Sequence, residues 1–365
     1  MAQERQYQLD TMRAFSVTVV VFVHTRVRGN IFGDLGSLAV ALFFVLSGFL
    51  ITGILLGARE RAVLANTGRG SVLVRFYIRR FLRIFPLYYG VLFAAALAGE
   101  PVTRQYFWEL VTYRANFLMA DVGRNIAPIT PLWSLSVEEH FYVFWPLIVL
   151  FLSRRGIMVS IATMVLGSVV ARAWLVAHGA TYPTIAYPTY SAVDSIALGC
   201  ALALAWRDST ADARRPWILR CLWIGAAGEL FRLVDHSLLS DSFSTDINRT
   251  LNTLPFALVC VWLVDAGARD TLPAWMRNRW LARFGLVSYG VYTMHRYVMH
   301  YLGFDSQRGW TPFFGTLSVS IALATLSWLV YEGPINSLKR YFPYVKRPKP
   351  AQPRTGSELP EPGSG

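Results

Sequence analysis

Charge is scarce in this chain: only 16% of its 365 residues are Asp, Glu, Lys or Arg, against about 25% in soluble domains. With 54% of the residues hydrophobic, a water-soluble globular domain is excluded. Cysteine is nearly absent too. Cys200, Cys221 and Cys260 lie in apolar stretches without CxxC spacing, which argues against a disulfide framework or a zinc site; they read as small buried apolar residues. No HExxH occurs, and His295 and His300 stand five apart, off the common face that i, i+4 ligands need, so no metal is expected. Gly-rich phosphate loops, a G-x-S-x-G elbow and fixed-period repeats are missing, which removes the usual signatures of nucleotide hydrolases, serine hydrolases and solenoids. The apolar run 14–23 lacks a small-residue cleavage pattern after it, so it reads as a retained first helix rather than a signal peptide.

Long apolar runs are what the chain has instead. Segments bounded by Arg, Pro or Gly fall near 10–28, 37–57, 84–99, 134–152, 157–177, 188–206, 217–235, 250–267, 284–303 and 312–331, each near the length a bilayer requires. The expectation is an all-α polytopic bundle of about ten spans, with a partial or interfacial helix at 105–120. Residues 1–343 form the membrane domain in this reading, and the Pro- and Gly-rich residues 344–365 a disordered tail.

Arginine sets the sidedness. Of the 35 basic residues, 25 fall on segments that share the side of the N-terminus, 7 on the opposite side and 3 inside spans. That bias predicts both termini in the cytoplasm. It also accounts for the +13 net charge, and without a zinc-finger, RRM or helix-turn-helix pattern no nucleic-acid partner is expected. The bilayer itself is the first partner; oligomeric state is not legible.

Three clusters carry chemistry. Arg13 and His24 are eleven residues apart on the first helix, which returns them to one face within about 20° while separating them by roughly 16.5 Å. They share a stripe without touching. His24 lies past the midplane, where an ionisable group is costly and usually faces a cavity, although a histidine satisfied between helices reads as well. Next, Arg75, Arg79 and Arg83 recur every four residues with Arg80 beside them, one basic face on a helix. It serves either as positive-inside anchoring or as a guanidinium cluster gripping phosphates such as those of coenzyme A. Last, Glu138, Glu139 and His140 open the fourth span, Asp194 enters the sixth and His295 lies past the middle of the ninth. The two glutamates favour a helix N-terminus, with Ser134 or Ser136 as a cap, and one of them is expected to face inward. These ionisable groups gather with His24 in the outer half. Buried charges among many helices also describe a transporter or flippase.

LDTMRAFSVTVVVFVH, ALFFVLSGFLIT, RRFLRIFPLYY, PLWSLSVEEHFYVFWP, YSAVDSIALG, FGLVSYGVYTMH and YEGP follow one another between Leu9 and about Arg340. In this order they resemble the acyltransferase-3 family of bacterial integral-membrane O-acyltransferases. Thr11 and Ala14 replace the usual glycines of the first motif, His140 stands where Gln is common, and Tyr297 where Pro often follows the histidine. The resemblance implies transfer of an acyl group, acetyl above all, from cytoplasmic acyl-CoA to a hydroxyl of a glycan or lipid-linked sugar at the bacterial plasma membrane. A cytoplasmic macrolide is the alternative acceptor. Arg75, Arg79, Arg80 and Arg83 would hold the donor's phosphates and Arg13 a donor phosphate or carbonyl. His24 would act as general base or as acyl carrier, with Glu138 or Asp194 orienting it. Glu139, Tyr289 and His295 would line the acceptor.

Overall fold

The computed structural model describes residues 7–25, 33–208 and 274–345, and every regular element among them is helical. The long elements are α1 (Tyr7–His24), α2 (Gly33–Leu64) and α3 (Arg69–Leu97). Three short helices follow, α4 (Pro101–Gln105), α5 (Phe107–Val111) and α6 (Ala115–Val122), then α7 (Leu132–Phe151) and α8 (Arg154–Ala177). The short α9 (Tyr182–Ala186) and α10 (Thr189–Ala192) lead into α11 (Asp194–Asp208). After a 3-10 turn at Ala274–Arg277 come α12 (Arg279–Tyr301) and α13 (Trp310–Ser327). A π turn at Trp328–Glu332, the short α14 (Gly333–Ser337) and a 3-10 turn at Leu338–Tyr341 close the described chain.

Eight of the expected apolar segments coincide with these helices; those at 217–235 and 250–267, with Cys221 and Cys260, lie outside the described residues, as does the chain beyond Val345. By length and composition alone, four helical stretches among the described residues could cross a membrane: Leu35–Leu64, Arg69–Leu97, Arg154–Ala177 and Trp310–Tyr341. Side chains such as Leu97, Leu166, Val170 and Leu329 are turned outward and exposed, an apolar exterior that only lipid satisfies. The third segment, expected from residue 84, begins at Arg69 instead. Its arginines sit at helical spacing among apolar residues, so nothing in 69–83 stops the helix, and Pro86 lies within it. The expected partial helix at 105–120 is divided between α5 and α6.

Two close seams position the site. At Gly285 of α12, an added Cβ would stand 1.9 Å from the carbonyl oxygen of Asp10 on α1, so only glycine lets these backbones meet. Gly48 of α2 and Gly199 of α11 face each other's backbones in the same way, with carbonyl oxygens 2.0 and 2.2 Å from where a Cβ would be. Local capping reinforces the frame: the Asn278 side chain accepts from the backbone NH of Trp280 and Leu281 at the start of α12.

Candidate active site

The α1–α12 seam ends in a histidine pair. His24 Nδ1 lies 2.8 Å from His295 Nε2, and the rings are inclined by only 15°. His295 is fully buried, and its Nδ1 lies 2.7 Å from the carbonyl oxygen of Tyr292, one helical turn back. A carbonyl only accepts, so His295 Nδ1 carries the proton. With both rings neutral, His295 Nε2 then accepts from His24 Nδ1–H, which places the lone pair of His24 on Nε2, at the opposite edge of its ring. The chain Tyr292 carbonyl, His295, His24 therefore fixes the tautomer a base or nucleophile requires.

Two cavities lie along the bundle near this pair, and only the second reaches His24. The first, about 100 Å³, is lined by Arg13, Arg80 and Arg83 together with Ser47, Glu138 and Tyr289. Here Glu138 accepts from Ser47 Oγ at 3.1 Å and from the Tyr142 hydroxyl at 2.8 Å. The Arg80 guanidinium lies over the Tyr142 ring, 4.5 Å from its centre, and Arg13 is paired with Asp10 at 3.3 Å. The second cavity, about 330 Å³, is lined by His24, Ser37, Asn125, Trp133, Tyr187 and Arg296. Tyr292 and Val40 line both. The Tyr292 hydroxyl shares a 2.6 Å hydrogen bond with Ser134 Oγ, and its ring meets Phe43 edge-on, so the partition between the cavities is held on two sides.

The sequence-derived residues are thus sorted into places. Arg13 and His24 share a helix but open into different cavities. Glu138 lies with the arginines rather than with His24. Tyr289 lines the arginine cavity and donates to the Ile84 carbonyl at 3.3 Å. Glu139 is buried beside α3, within electrostatic reach of Tyr88, Tyr89 and Tyr289. Asp194 lines neither of these cavities: fully buried, it pairs with Arg172 at 2.9 Å and caps Ser195 N at 2.9 Å. Arg172 also donates to the Ser191 carbonyl, so this ion pair ties α8 to α10 and α11.

The four arginines of α3 divide as well. Arg80 and Arg83 reach the cavity. Arg75 instead donates to the carbonyls of Pro343 and Tyr344, at 3.0 and 3.1 Å, and Arg79 to those of Lys339 and Phe342, at 2.8 and 3.3 Å. These two strap residues 338–344 onto α3. Sequence reasoning missed Tyr292, Ser47, Tyr142 and the aromatic wall of the second cavity. The signals available were faint: Tyr292 stands three residues before His295, and Tyr142 four after Glu138, each on its partner's helical face.

Set beside known proteins, this arrangement has a family. A family model described as an acyltransferase domain matches residues 6–332. The chain belongs to the acyltransferase-3 family. Among curated relatives, YrhL of Bacillus subtilis is 26% identical over 360 residues, covering 90% of this chain and 54% of that protein. The O-acetyltransferase OatA of Staphylococcus aureus is 23% identical over 352 residues, covering 90% of this chain and 56% of the relative. The peptidoglycan O-acetyltransferase OatA of Listeria monocytogenes is 28% identical over 219 residues, covering 54% of this chain and 33% of the relative. The chain spans about half the length of the first two of these and a third of the last. No solved structure matches it. Arg13, His24, Arg80, Arg83, Glu138 and His295 all fall inside the stretch that defines this family of membrane-embedded acyltransferases.

Proposed function

We propose that this protein is a membrane O-acyltransferase that moves an acyl group, acetyl above all, from acyl-CoA to a hydroxyl of a bacterial envelope glycan or lipid-linked sugar. The observation that carries the reading is the histidine relay, with His24 bordering a cavity that shares Tyr292 and Val40 with a second cavity lined by three arginines. Relatives named as O-acetyltransferases support the acetyl group, and two named for peptidoglycan, one of them only provisionally, support a glycan acceptor.

At about 100 Å³ the arginine cavity is below the roughly 300 Å³ of small-molecule sites. It suits only part of a donor whose phosphates would rest on Arg80 and Arg83, where bidentate guanidinium contacts favour phosphate, while the pantetheine arm carries the thioester on toward His24. The acceptor hydroxyl would come from the other cavity, on the extracytoplasmic side. His24 Nε2 takes the hydroxyl proton as the oxygen attacks the thioester carbon. The C–S bond then breaks, the new ester stays on the acceptor, and the proton passes to the departing thiolate. In the covalent variant His24 Nε2 attacks first and carries the acyl group to the acceptor. His295 holds the ring for either route, and Arg13, paired with Asp10, offers a charge to the donor end. Membranes carrying the native protein should transfer label from acyl-labelled acetyl-CoA to a glycan or lipid fraction, and an equally expressed His24→Ala variant should not. Equal transfer by the variant would overturn the role of His24, and no donor consumption at all would return the reading to a transporter.

A further inference from the structure

We propose that the cavity beside His24 is a subsite for a single pyranose ring, with Trp133, Tyr187 and Tyr182 as its stacking wall and Asn125, Thr130 and Ser37 as its hydroxyl-reading edge. The inference rests on the acyltransferase reading above and adds the class of group that the site admits.

Size comes first. About 330 Å³ is near the lower limit of small-molecule sites, room for one ring rather than for several sugar units. The walls are of two kinds. Trp133 and Tyr187 stack with their centres 4.4 Å apart and 18° between planes; Phe44 meets Trp133 edge-on behind, and Tyr182 meets Tyr187 at 81°. Each ring is braced by another, so the apolar wall is set before any ligand arrives. Opposite in character is the polar edge. The Tyr187 hydroxyl donates to Asn125 Oδ1 at 2.6 Å, which fixes the amide and assigns its NH₂ as a donor. The Thr130 hydroxyl donates to the Ile126 carbonyl at 2.9 Å and keeps its oxygen as an acceptor.

A pyranose matches both kinds of wall, with an apolar C–H face and a rim of hydroxyls. A hydrocarbon chain would cover the Asn125 amide and the Thr130 oxygen without offering either a partner. A nucleotide would put its phosphates opposite a single guanidinium, Arg296, while three arginines line the other cavity. At the rim, the exposed Tyr182 hydroxyl and Ser37 Oγ share a 3.2 Å hydrogen bond between α9 and the start of α2. Ring and bond together form a lip at the mouth of the cavity.

The test uses the purified full chain in lipid vesicles, acetyl-CoA as donor, and three acceptors: an N-acetylhexosamine oligomer, a hexose oligomer and a long-chain alcohol. The expected result is transfer to at least one sugar. Tyr182→Ala and Asn125→Ala should each raise the acceptor KM on the order of tenfold, the scale of one aromatic contact, while the acetyl-CoA KM stays put. Tyr182→Phe, which keeps the ring face, should recover most of that loss. If sugars accept acetyl but neither alanine variant moves the acceptor KM, the ring binds elsewhere and the subsite is wrong while the acyltransferase reading stands. Acetylation of the alcohol alone would also overturn the subsite. If no acceptor consumes acetyl-CoA, the functional reading falls and the subsite falls with it.

Discussion

His24 and His295 are 271 positions apart in sequence, yet their ring nitrogens lie 2.8 Å apart at the end of the α1–α12 seam. That contact depends on the glycine at position 285, where the two backbones touch. Gly285→Ala would force the helices apart, because the obstructing atom is a backbone carbonyl rather than a movable side chain. A loss of at least about 1–3 kcal/mol, the usual cost of overpacking, is expected, together with loss of transfer. Gly167→Ala is the control: its added methyl meets nothing within 4 Å on α8, so it should stabilise by up to about 1 kcal/mol. Thermal unfolding of the two variants in one detergent compares them.

Tyr292, with Val40, lines both the arginine cavity and the histidine cavity. Tyr292→Ala should join the two and let water reach the thioester, so that thiol release without acceptor rises severalfold relative to acyl transfer. Tyr292→Phe keeps the partition and loses only the Ser134 hydrogen bond, so coupling should survive. Thiol release with and without acceptor is the measurement.

Asp194 belongs to a structural ion pair in this account. Asp194→Asn leaves the Arg172 guanidinium buried without its counter-charge, a change expected to cost about 3–5 kcal/mol. The yield of folded protein should fall, while the acceptor and donor KM of what survives should hold. A selective loss of kcat at native stability would instead give Asp194 the catalytic part that its sequence context suggests.

The arginines of α3 should separate in the same way. Arg80→Met and Arg83→Met should raise the acetyl-CoA KM on the order of tenfold or more each, as expected for charge-assisted contacts. Arg75→Met releases two hydrogen bonds to the C-terminal strap, so it should speed proteolysis near residues 338–344 with a smaller effect on that KM. Kinetics and limited digestion on the same preparations read both.

Much of this was visible in the chain itself, for physical reasons. A bilayer demands long apolar helices, so eight helices could be placed from hydropathy alone, and a period of 3.6 residues put Arg13 and His24 on one stripe. The family resemblance rested on seven short motifs, and the family match covers the same ground. What periodicity cannot convey is which faces meet. Nothing in 75–83 tells a cavity-lining Arg80 from an Arg75 that binds carbonyls some 268 residues away. Depth along a helix puts both Glu138 and His24 on half-buried faces, and does not say that they line separate cavities that share Tyr292 and Val40. Asp194 looked catalytic because a lone buried carboxylate is expensive; its partner Arg172 is 22 residues upstream on a different helix.

The central claim is that His24 and His295 act as one unit, and a double-mutant cycle tests it most directly. His24→Ala, His295→Ala and the double variant would be compared for acetyl transfer at equal folded amounts. Each single change should lower kcat on the order of 10²-fold or more, and the double variant should be little worse than the worse single one, as for residues that serve one step together. Losses that multiply, or a His295→Ala variant with native kcat, would contradict the relay.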